Sequence, residues 1–231
     1  MSTPRPDERI LTDRLDLQPI TVGDADEMAT IFADRRLYTF TGGEPSTLAA
    51  LRSAFARLEA ARTASATAQR NWVVRHRVDD QAIGMLQASF ADGGQVAEIA
   101  WAIGVPWQGQ GLATEATRAV VDWLEGQGVG TITAWIRPDH QASAAVALRV
   151  GLTPTREYRD TELHREQLWR RPMQNLSSAL GDQESAWDRP TSGPRGGSLV
   201  LPPRPGWRDL SGRFLACPTP NRERPTNQPG T

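Results

Sequence analysis

The 231-residue sequence predicts an α/β domain in which helices cover both faces of a mixed sheet. Short β-rich runs alternate with amphipathic helical segments in the order β, α, α, β-β-β, α, β, α, β-β. Two turn-like connectors join the three consecutive strand runs, which predicts an antiparallel meander. Each helix carries an apolar stripe, and the two faces of one sheet can bury these stripes.

The first predicted elements are one strand and two helices. Residues 14–18 alternate between apolar and polar, as a half-buried strand does. A helix is predicted to begin at Asp24, and Glu27 three residues later would complete a capping box. Ser46 is predicted to cap the second helix, because apolar residues follow it at helical spacing.

The second half of the domain begins with the meander. Its predicted elements are strands at 71–77, 82–90 and 96–105, a helix at 111–126, a strand at 131–137, a short helix at 141–150, and closing strands near Tyr158 and Leu168-Trp169. The short helix is predicted to stop at Gly151, since glycine readily ends helices.

The proline distribution divides the chain into two zones. Nine of the 17 prolines lie after Met173, where no helical or strand period persists. Such a segment buries too little apolar surface to offset the entropy of ordering it. We therefore predict a folded domain over 1–173 and a disordered Pro/Gly/Arg-rich tail over 174–231.

The composition argues against several classes of function. With 26 basic and 27 acidic residues, the chain has no general charge footprint for nucleic acid or an anionic membrane. All 26 basic residues are arginine, so no Schiff-base lysine exists. One cysteine and three scattered histidines predict no metal site. Because a signal core and an apolar run of roughly 18 residues are both missing, we expect a cytoplasmic protein.

The segment at 97–124 is the most informative for function. A buried strand leads into Gln108-Gly109-Gln110-Gly111-Leu112-Ala113, and a helix follows. Glycines let backbone N–H groups converge on a phosphate, and the helix N-terminus adds unpaired N–H groups and a positive dipole end. The pattern predicts an anion cradle, with a purely structural turn as the alternative. A dinucleotide fingerprint would need glycine or alanine at Thr114, and a Walker loop would need Gly-Lys-Ser/Thr.

Three segments resemble one family. The spacing Gln108-x-x-Gly111-x-Ala113 resembles the Q/R-x-x-G-x-G/A signature of the GNAT superfamily of N-acetyltransferases. The text LTDRLDL at 11–17, and RPDHQAS at 137–143 followed by Gly-Leu at 151–152, are similar to its Rim-type branch, which modifies protein N-termini among other amines. The resemblance covers about 9–172. It implies a mostly antiparallel mixed sheet whose two central strands splay apart to receive the pantetheine and acetyl group of acetyl-CoA.

The sequence departs from the family pattern at three positions. His140 stands where the family usually has Asn, and Leu152 replaces the usual Phe. Many relatives use a tyrosine as general acid for the departing thiolate, and Ala147 occupies that position here. Ser143 is the nearest alternative that the family supports.

The resemblance implies an acetyl-CoA-dependent N-acetyltransferase without a metal, acting on a primary amine of a small molecule or a protein N-terminus. Its implied catalytic residues are Glu98, as a base acting directly or through water, and Ser143, as an acid or ligand. The residues implied to bind acetyl-CoA are Ile103, Val105, Gln108, Gly109, Gln110, Gly111, Leu112, Ala113, Thr114, His140 and Ser143.

Simpler interpretations remain open for several features. Glu98 could be a solvated strand-edge carboxylate, and Ser143 could only cap a helix. Glu115 is interpreted as complementing the helix dipole, and His164 as an ordinary loop residue. Residues 35–44 could recognise a substrate or plug one end of the domain. The rival functions are a non-catalytic acyl-CoA-binding module and an adaptor that acts through its tail, and the chain could be a monomer or a homodimer.

Overall fold

The computed structural model of the protein describes residues 9–64 and 69–172. The predicted tail at 174–231 lies outside the described residues. The strands are β1 (Ile10–Leu11), β2 (Leu15–Pro19), β3 (Gln69–His76), β4 (Ala82–Ala91), β5 (Val96–Ile103), β6 (Thr131–Ile136), β7 (Thr153–Asp160) and β8 (Arg165–Pro172). The α-helices are α1 (Ala25–Phe32), α2 (Leu48–Ala64), α3 (Leu112–Gly126) and α4 (Gln141–Arg149).

The strands form one sheet in the order β1-β2-β3-β4-β5-β6-β8-β7. Neighbouring strands are antiparallel except β5 and β6, which run parallel and are joined through α3. A parallel pair needs such a crossover connection, whereas β3, β4 and β5 follow one another through short turns as predicted. The prediction of a mixed, mostly antiparallel sheet is therefore confirmed.

Successive side chains of each strand point to opposite faces of the sheet, so a separate hydrophobic core forms on each face. Trp72 and Val74 of β3 pack with α3 and α4 on one face. Val73, between them, packs with α1 and α2 on the other face. Helix α1 lies against β4, and α2 lies against β3. The α1–α2 layer is therefore centred on one half of the sheet, away from β6 and β8.

The helix start predicted at Asp24 is correct, because Asp24 is the N-cap residue of α1, but the capping box predicted there is wrong. The Asp24 side chain makes no cap hydrogen bond to α1 and belongs instead to the capping box of the preceding 3-10 turn, whose N-cap is Thr21. The Asp24 carboxylate accepts hydrogen bonds from the backbone N–H and the hydroxyl of Thr21, both at 2.8 Å. Glu27 instead contacts Arg75 at 2.9 Å and accepts the Ala82 backbone N–H at 2.6 Å. These partners lie on β3 and β4, where a local capping pattern cannot reveal them.

The predicted cap of α2 is displaced by one residue. The Thr47 hydroxyl accepts the backbone N–H of Ala50 at 3.2 Å, which is the hydrogen bond of an N-cap. The Ser46 hydroxyl is buried and has no hydrogen-bond partner in the described chain. None of the helices in the described ranges is long and apolar enough to cross a membrane.

Candidate active site

Strands β5 and β6 diverge near the middle of the sheet. They pair only from Val96 opposite Thr131 to Glu98 opposite Thr133. Strand β5 then continues for five more residues and β6 for three. Each strand leads to the N-terminus of a helix, β5 to α3 and β6 to α4. This geometry is the predicted splayed pair.

The gap between the diverging strands is a cleft, which we call the strand cleft. Its walls are the two strands, the start of α4 with His140 and Ser143, and Phe40 and Thr41 from the loop before α2. Arg159 of β7 and Glu166 of β8 complete the lining. The structure thus brings together the predicted residues Glu98, His140 and Ser143, and part of the 35–44 loop contributes to the cleft.

Glu98 lies at the point where the strands part. Its neighbours Ala97 and Ile99 pack into the α3–α4 core, so its side chain faces the opposite side of the sheet. The side chain is 20% exposed. Burial raises the pKa of Glu98 to about 8, although the nearby Arg159 guanidinium acts in the opposite direction. A carboxyl group with this pKa can exchange a proton near neutral pH.

His140 caps helix α4 in place of the usual Asn. Its Nδ1 accepts the backbone N–H of Ser143 at 3.5 Å, and its ring stacks on Phe40 with 4.0 Å between the ring centroids. Burial lowers the pKa of His140, which favours the neutral imidazole that can accept this hydrogen bond. Because the imidazole supplies the cap, the Ser143 hydroxyl is not needed for it.

Residues 108–114, which we call the glycine loop, run from the 3-10 turn after β5 into the first turn of α3. Gly109 and Gly111 have φ values of 74° and 79°, in the left-handed region. A Cβ atom would meet nothing within 4 Å at Gly109 and only Arg14, at 3.7 Å, at Gly111. The loop therefore has open space beside it, and the first backbone N–H groups of α3 lack helical acceptors.

Side chains hold the glycine loop in place from both ends. Gln108 donates a hydrogen bond from Nε2 to the carbonyl of Ile103 at 2.8 Å. Arg14 donates to the carbonyl of Gln110 at 3.1 Å and to the Glu115 carboxylate at 2.6 Å. Burial alone would raise the pKa of Glu115, but hydrogen bonds from Thr12 and Arg14 lower it. Glu115 thus ties the start of α3 to the turn between β1 and β2.

The remaining predicted cofactor residues occupy the same connection. Ile103 ends β5 and is buried, and Val105 lies in the single turn of 3-10 helix that follows. Leu112 is buried under the first turn of α3, to which Ala113 and Thr114 also belong. These residues lie at or beyond the end of β5, whereas Glu98, His140 and Ser143 line the strand cleft.

Sequence reasoning missed a group of polar residues on the β7–β8 hairpin. Arg159 donates to the Glu166 carboxylate at 2.7 Å, and its guanidinium lies 4.4 Å from the ring centroid of Trp135. His164 is interpreted from sequence as an ordinary loop residue, but its side chain is only 5% exposed and its Nε2 lies 3.0 Å from Glu166 Oε1. Glu166 lies two residues before Leu168 on the same face of β8, but arginines also lie at 165, 170 and 171, so the sequence carries no distinct signal for it. Its partner depends on the hairpin register.

The described ranges contain no group of three or more His, Cys, Asp or Glu side chains arranged to hold a metal ion. Acidic and basic side chains near the cleft are instead paired with one another, as Arg137 is with Asp139 at 2.5 Å. The chemistry available here is proton transfer by carboxyl, hydroxyl and imidazole groups, together with polarisation by backbone N–H groups.

Comparison with known families agrees with this geometry. The family described as "Acetyltransferase (GNAT) domain" matches residues 14–153. The chain therefore belongs to the GNAT acetyltransferases, and its class of activity is N-acetyl transfer, as the sequence predicted. No curated protein sequence matches the chain.

Solved structures share the fold at low sequence identity. A putative ribosomal-protein-serine acetyltransferase from Vibrio cholerae is 21% identical, with a TM-score of 0.59 over 73% of this chain and 99% of its own. RimL, a ribosomal L7/L12 alpha-N-protein acetyltransferase in complex with coenzyme A, is 16% identical, with a TM-score of 0.62 over 72% of this chain and 98% of its own. The aminoglycoside acetyltransferase AAC(6')-Ib in complex with coenzyme A is 16% identical, with a TM-score of 0.58 over 71% of this chain and 98% of its own. The first two agree with the Rim-type resemblance.

Proposed function

We propose that the protein transfers the acetyl group of acetyl-CoA to a primary amine of a small molecule or a protein N-terminus. The observation that carries this proposal is the placement of Glu98. An ionisable carboxyl group, 20% exposed, stands at the point where β5 and β6 part, and burial raises its pKa to about 8. A base at this position can serve a reaction that takes place between the strands.

The glycine loop supports acetyl-CoA as the co-substrate. Open space at Gly109 and Gly111 and the positive end of α3 suit the pyrophosphate of coenzyme A. Beyond Glu98, the edge of β5 that faces β6 is no longer paired with it. Backbone N–H groups on that edge can hold the pantetheine and polarise the thioester carbonyl. Relatives of the same fold bind coenzyme A in their solved structures.

The reaction is assigned to named groups. The acceptor first loses its ammonium proton to the Glu98 carboxylate, directly or through water. The neutral amine nitrogen then attacks the thioester carbon, so that a C–N bond forms and the C–S bond breaks. The departing thiolate takes a proton from the Ser143 hydroxyl or from water. The second amine proton, lost from the nitrogen as the amide forms, returns to that hydroxyl or to water. The products are the acetylated amine and free coenzyme A.

The charges around the strand cleft favour an acceptor with one amine over a polycation. The lining holds two arginines, Arg137 and Arg159, against two carboxyl groups, Glu98 and Glu166, and Glu98 ionises only as the pH approaches about 8. A polyamine or aminoglycoside would be attracted by a surplus of negative charge, which this lining does not have. A peptide N-terminus or an amino acid amine fits a lining without surplus negative charge better.

An acceptor panel tests the proposal. The protein is incubated with acetyl-CoA and with N-terminal peptides, amino acids, a polyamine and an aminoglycoside, and both thiol release and the mass of the acceptor are followed. We expect thiol release with a single-amine acceptor and addition of one acetyl group. Calorimetric binding of acetyl-CoA without thiol release for any amine would favour the non-catalytic acyl-CoA-binding module instead.

A further inference from the structure

We propose that Glu166 is a positioning residue that holds the Arg159 guanidinium away from Glu98 and thereby sets the pH at which Glu98 ionises. The inference rests on the proposed function, in which Glu98 exchanges the acceptor's proton. Neither Arg159 nor Glu166 is assigned contact with the reacting atoms. Their role is to set how strongly the positive charge of Arg159 acts on each of two carboxyl groups, those of Glu166 and Glu98.

The distances from the Arg159 guanidinium to the two carboxyl groups show that it binds Glu166 more closely than Glu98. Arg159 and Glu166 are direct partners in the β7–β8 register. The Arg159 Nε and Nη2 atoms lie 2.7 and 2.6 Å from Glu166 Oε2, whereas Arg159 Nη1 lies 3.9 Å from Glu98 Oε1. The first two are short charge-assisted contacts, and the third is too long for a hydrogen bond. Glu98 is therefore subject to the electrostatic attraction of the guanidinium but accepts no hydrogen bond from it at this distance.

Two aromatic side chains fix the pair in this arrangement. The Arg159 guanidinium lies 4.4 Å from the ring centroid of Trp135, a cation–π contact. His164 Nε2 lies 3.0 Å from Glu166 Oε1, which leaves Oε2 for Arg159. The His164 and Glu166 side chains are only 5% and 6% exposed. Water therefore competes weakly for the Glu166 carboxylate, although the Arg159 side chain is 29% exposed, and the charged carboxylate holds the guanidinium away from Glu98.

The surroundings of Glu98 give each substitution a definite sign. The groups that face it are the guanidinium of Arg159 on β7, the carboxylate of Glu166 on β8, the side chain of Trp135 on β6 and, at the rim of the cleft, Arg137 and neutral His140. Removing the charge of Glu166 releases Arg159 to pair with Glu98 and also removes a repelling carboxylate. Both changes favour the ionised form of Glu98. Removing Arg159 favours the protonated form.

A second pair on the same hairpin provides a matched control. Arg170 and Glu157 lie 3.2 Å apart, also between β8 and β7, but their side chains are 46% and 59% exposed. Neither residue lines the strand cleft. Loss of this pair should change neither the ionisation of Glu98 nor the reaction.

The test is a pH titration of the full chain carrying ¹³C-labelled glutamate side chains, followed by NMR. The Glu98→Gln variant identifies the Glu98 signal. We expect Glu166→Gln to lower the Glu98 titration midpoint by about one pH unit, and Arg159→Gln to raise it by about as much. Glu157→Gln should leave it unchanged. The rising limb of acetyl transfer against pH should move with each midpoint.

The outcomes separate this inference from the proposed function. Opposite shifts of the midpoint with an unchanged rate profile would uphold the positioning role and remove Glu98 as the base. Unchanged midpoints, or shifts of the same sign, would overturn the positioning role even if Glu98→Gln abolishes transfer. Glutamine keeps much of the local hydrogen bonding, and if one variant does not fold, the sign of the shift in the other decides.

Discussion

The glycine loop and the strand cleft are built in opposite ways. The loop is one continuous segment whose binding groups are backbone N–H groups, held open by two glycines in the left-handed region. The cleft gathers side chains from separate parts of the chain, among them Phe40, Glu98, Ser143 and Glu166. The difference teaches that a backbone site is encoded locally, whereas a side-chain site depends on sheet order and strand register.

The two regions should therefore fail in different ways. The loop should tolerate changes of its side chains but not a bulky substituent at its glycines, because binding by backbone N–H groups depends on the backbone conformation. The cleft tolerates changes of shape better than changes of charge, since its work depends on one carboxyl group and the charges around it. Substitutions in the loop should weaken acetyl-CoA binding, and substitutions in the cleft should slow the chemistry.

The largest expected effect is that of Glu98→Gln. Glutamine keeps the shape of the side chain but cannot accept the acceptor's proton, so acetyl transfer should fall by roughly 10²–10⁴-fold at neutral pH. In the wild type, transfer should rise with pH up to about 8, because burial raises the pKa of Glu98 and its carboxylate forms only as that pH is approached.

The Glu98→Gln variant should lose this rise of the transfer rate with pH up to about 8. Its rate should recover in part at high pH, where more of the acceptor amine is neutral without a base. The matched control is Glu125→Gln, which changes an ion pair with Arg171 outside the cleft. A Glu98→Gln protein with the wild-type rate and pH profile would exclude Glu98 as the base.

Gly111→Val should weaken acetyl-CoA binding by about tenfold or more, about 1.4 kcal/mol. Valine disfavours the φ of 79° at this position, and its side chain would occupy the space beside the helix N-terminus. Calorimetry measures the affinity, and Gln108→Ala should reduce it less than Gly111→Val does.

Gly93→Val is the control for backbone strain. Gly93 has a φ of 67° with no atom within 4 Å of an added Cβ, and it lies in the turn between β4 and β5. This variant should lose stability in a similar way while keeping its acetyl-CoA affinity. Equal weakening of binding by both variants would contradict the assignment of the glycine loop.

Ser143→Ala should slow turnover by about 10- to 100-fold, as expected for loss of one hydrogen bond to a charged group, about 1.5–3 kcal/mol. Because the His140 ring caps α4, the melting temperature should hardly change. Ser53→Ala, in which an exposed hydroxyl bonded to the Ala49 carbonyl is lost from α2, is the control. Unchanged turnover together with lower stability would reduce Ser143 to a structural role.

The sequence predicted those parts of the fold that rest on local patterns. The meander, the glycine loop and α3 were recognised because strand period, turn residues and helix period change within a few residues of one another. Glu98 was chosen only through the family resemblance, since a carboxylate next to an apolar run is also typical of a solvated strand edge.

The rest depends on contacts that no local pattern contains. Glu27 was assigned to a capping box, yet its partners Arg75 and Ala82 lie across the sheet. The sequence predicts only a loop residue at His164, because the burial of its side chain against Glu166 follows from the β7–β8 register. The sequence does not decide whether the 35–44 loop recognises a substrate or plugs one end of the domain, because the approach of the loop to the cleft depends on how the α1–α2 layer packs on the sheet.

The division of work between the two regions is tested most directly by the double variant Glu98→Gln/Gly111→Val. We would measure kcat/KM for acetyl-CoA in the wild type, both single variants and the double variant. If the loop holds acetyl-CoA and the cleft handles the proton, the two losses should multiply, with a coupling free energy within about 0.5 kcal/mol of zero. A double variant no slower than Glu98→Gln alone would contradict the account, because the two regions would then serve one common step.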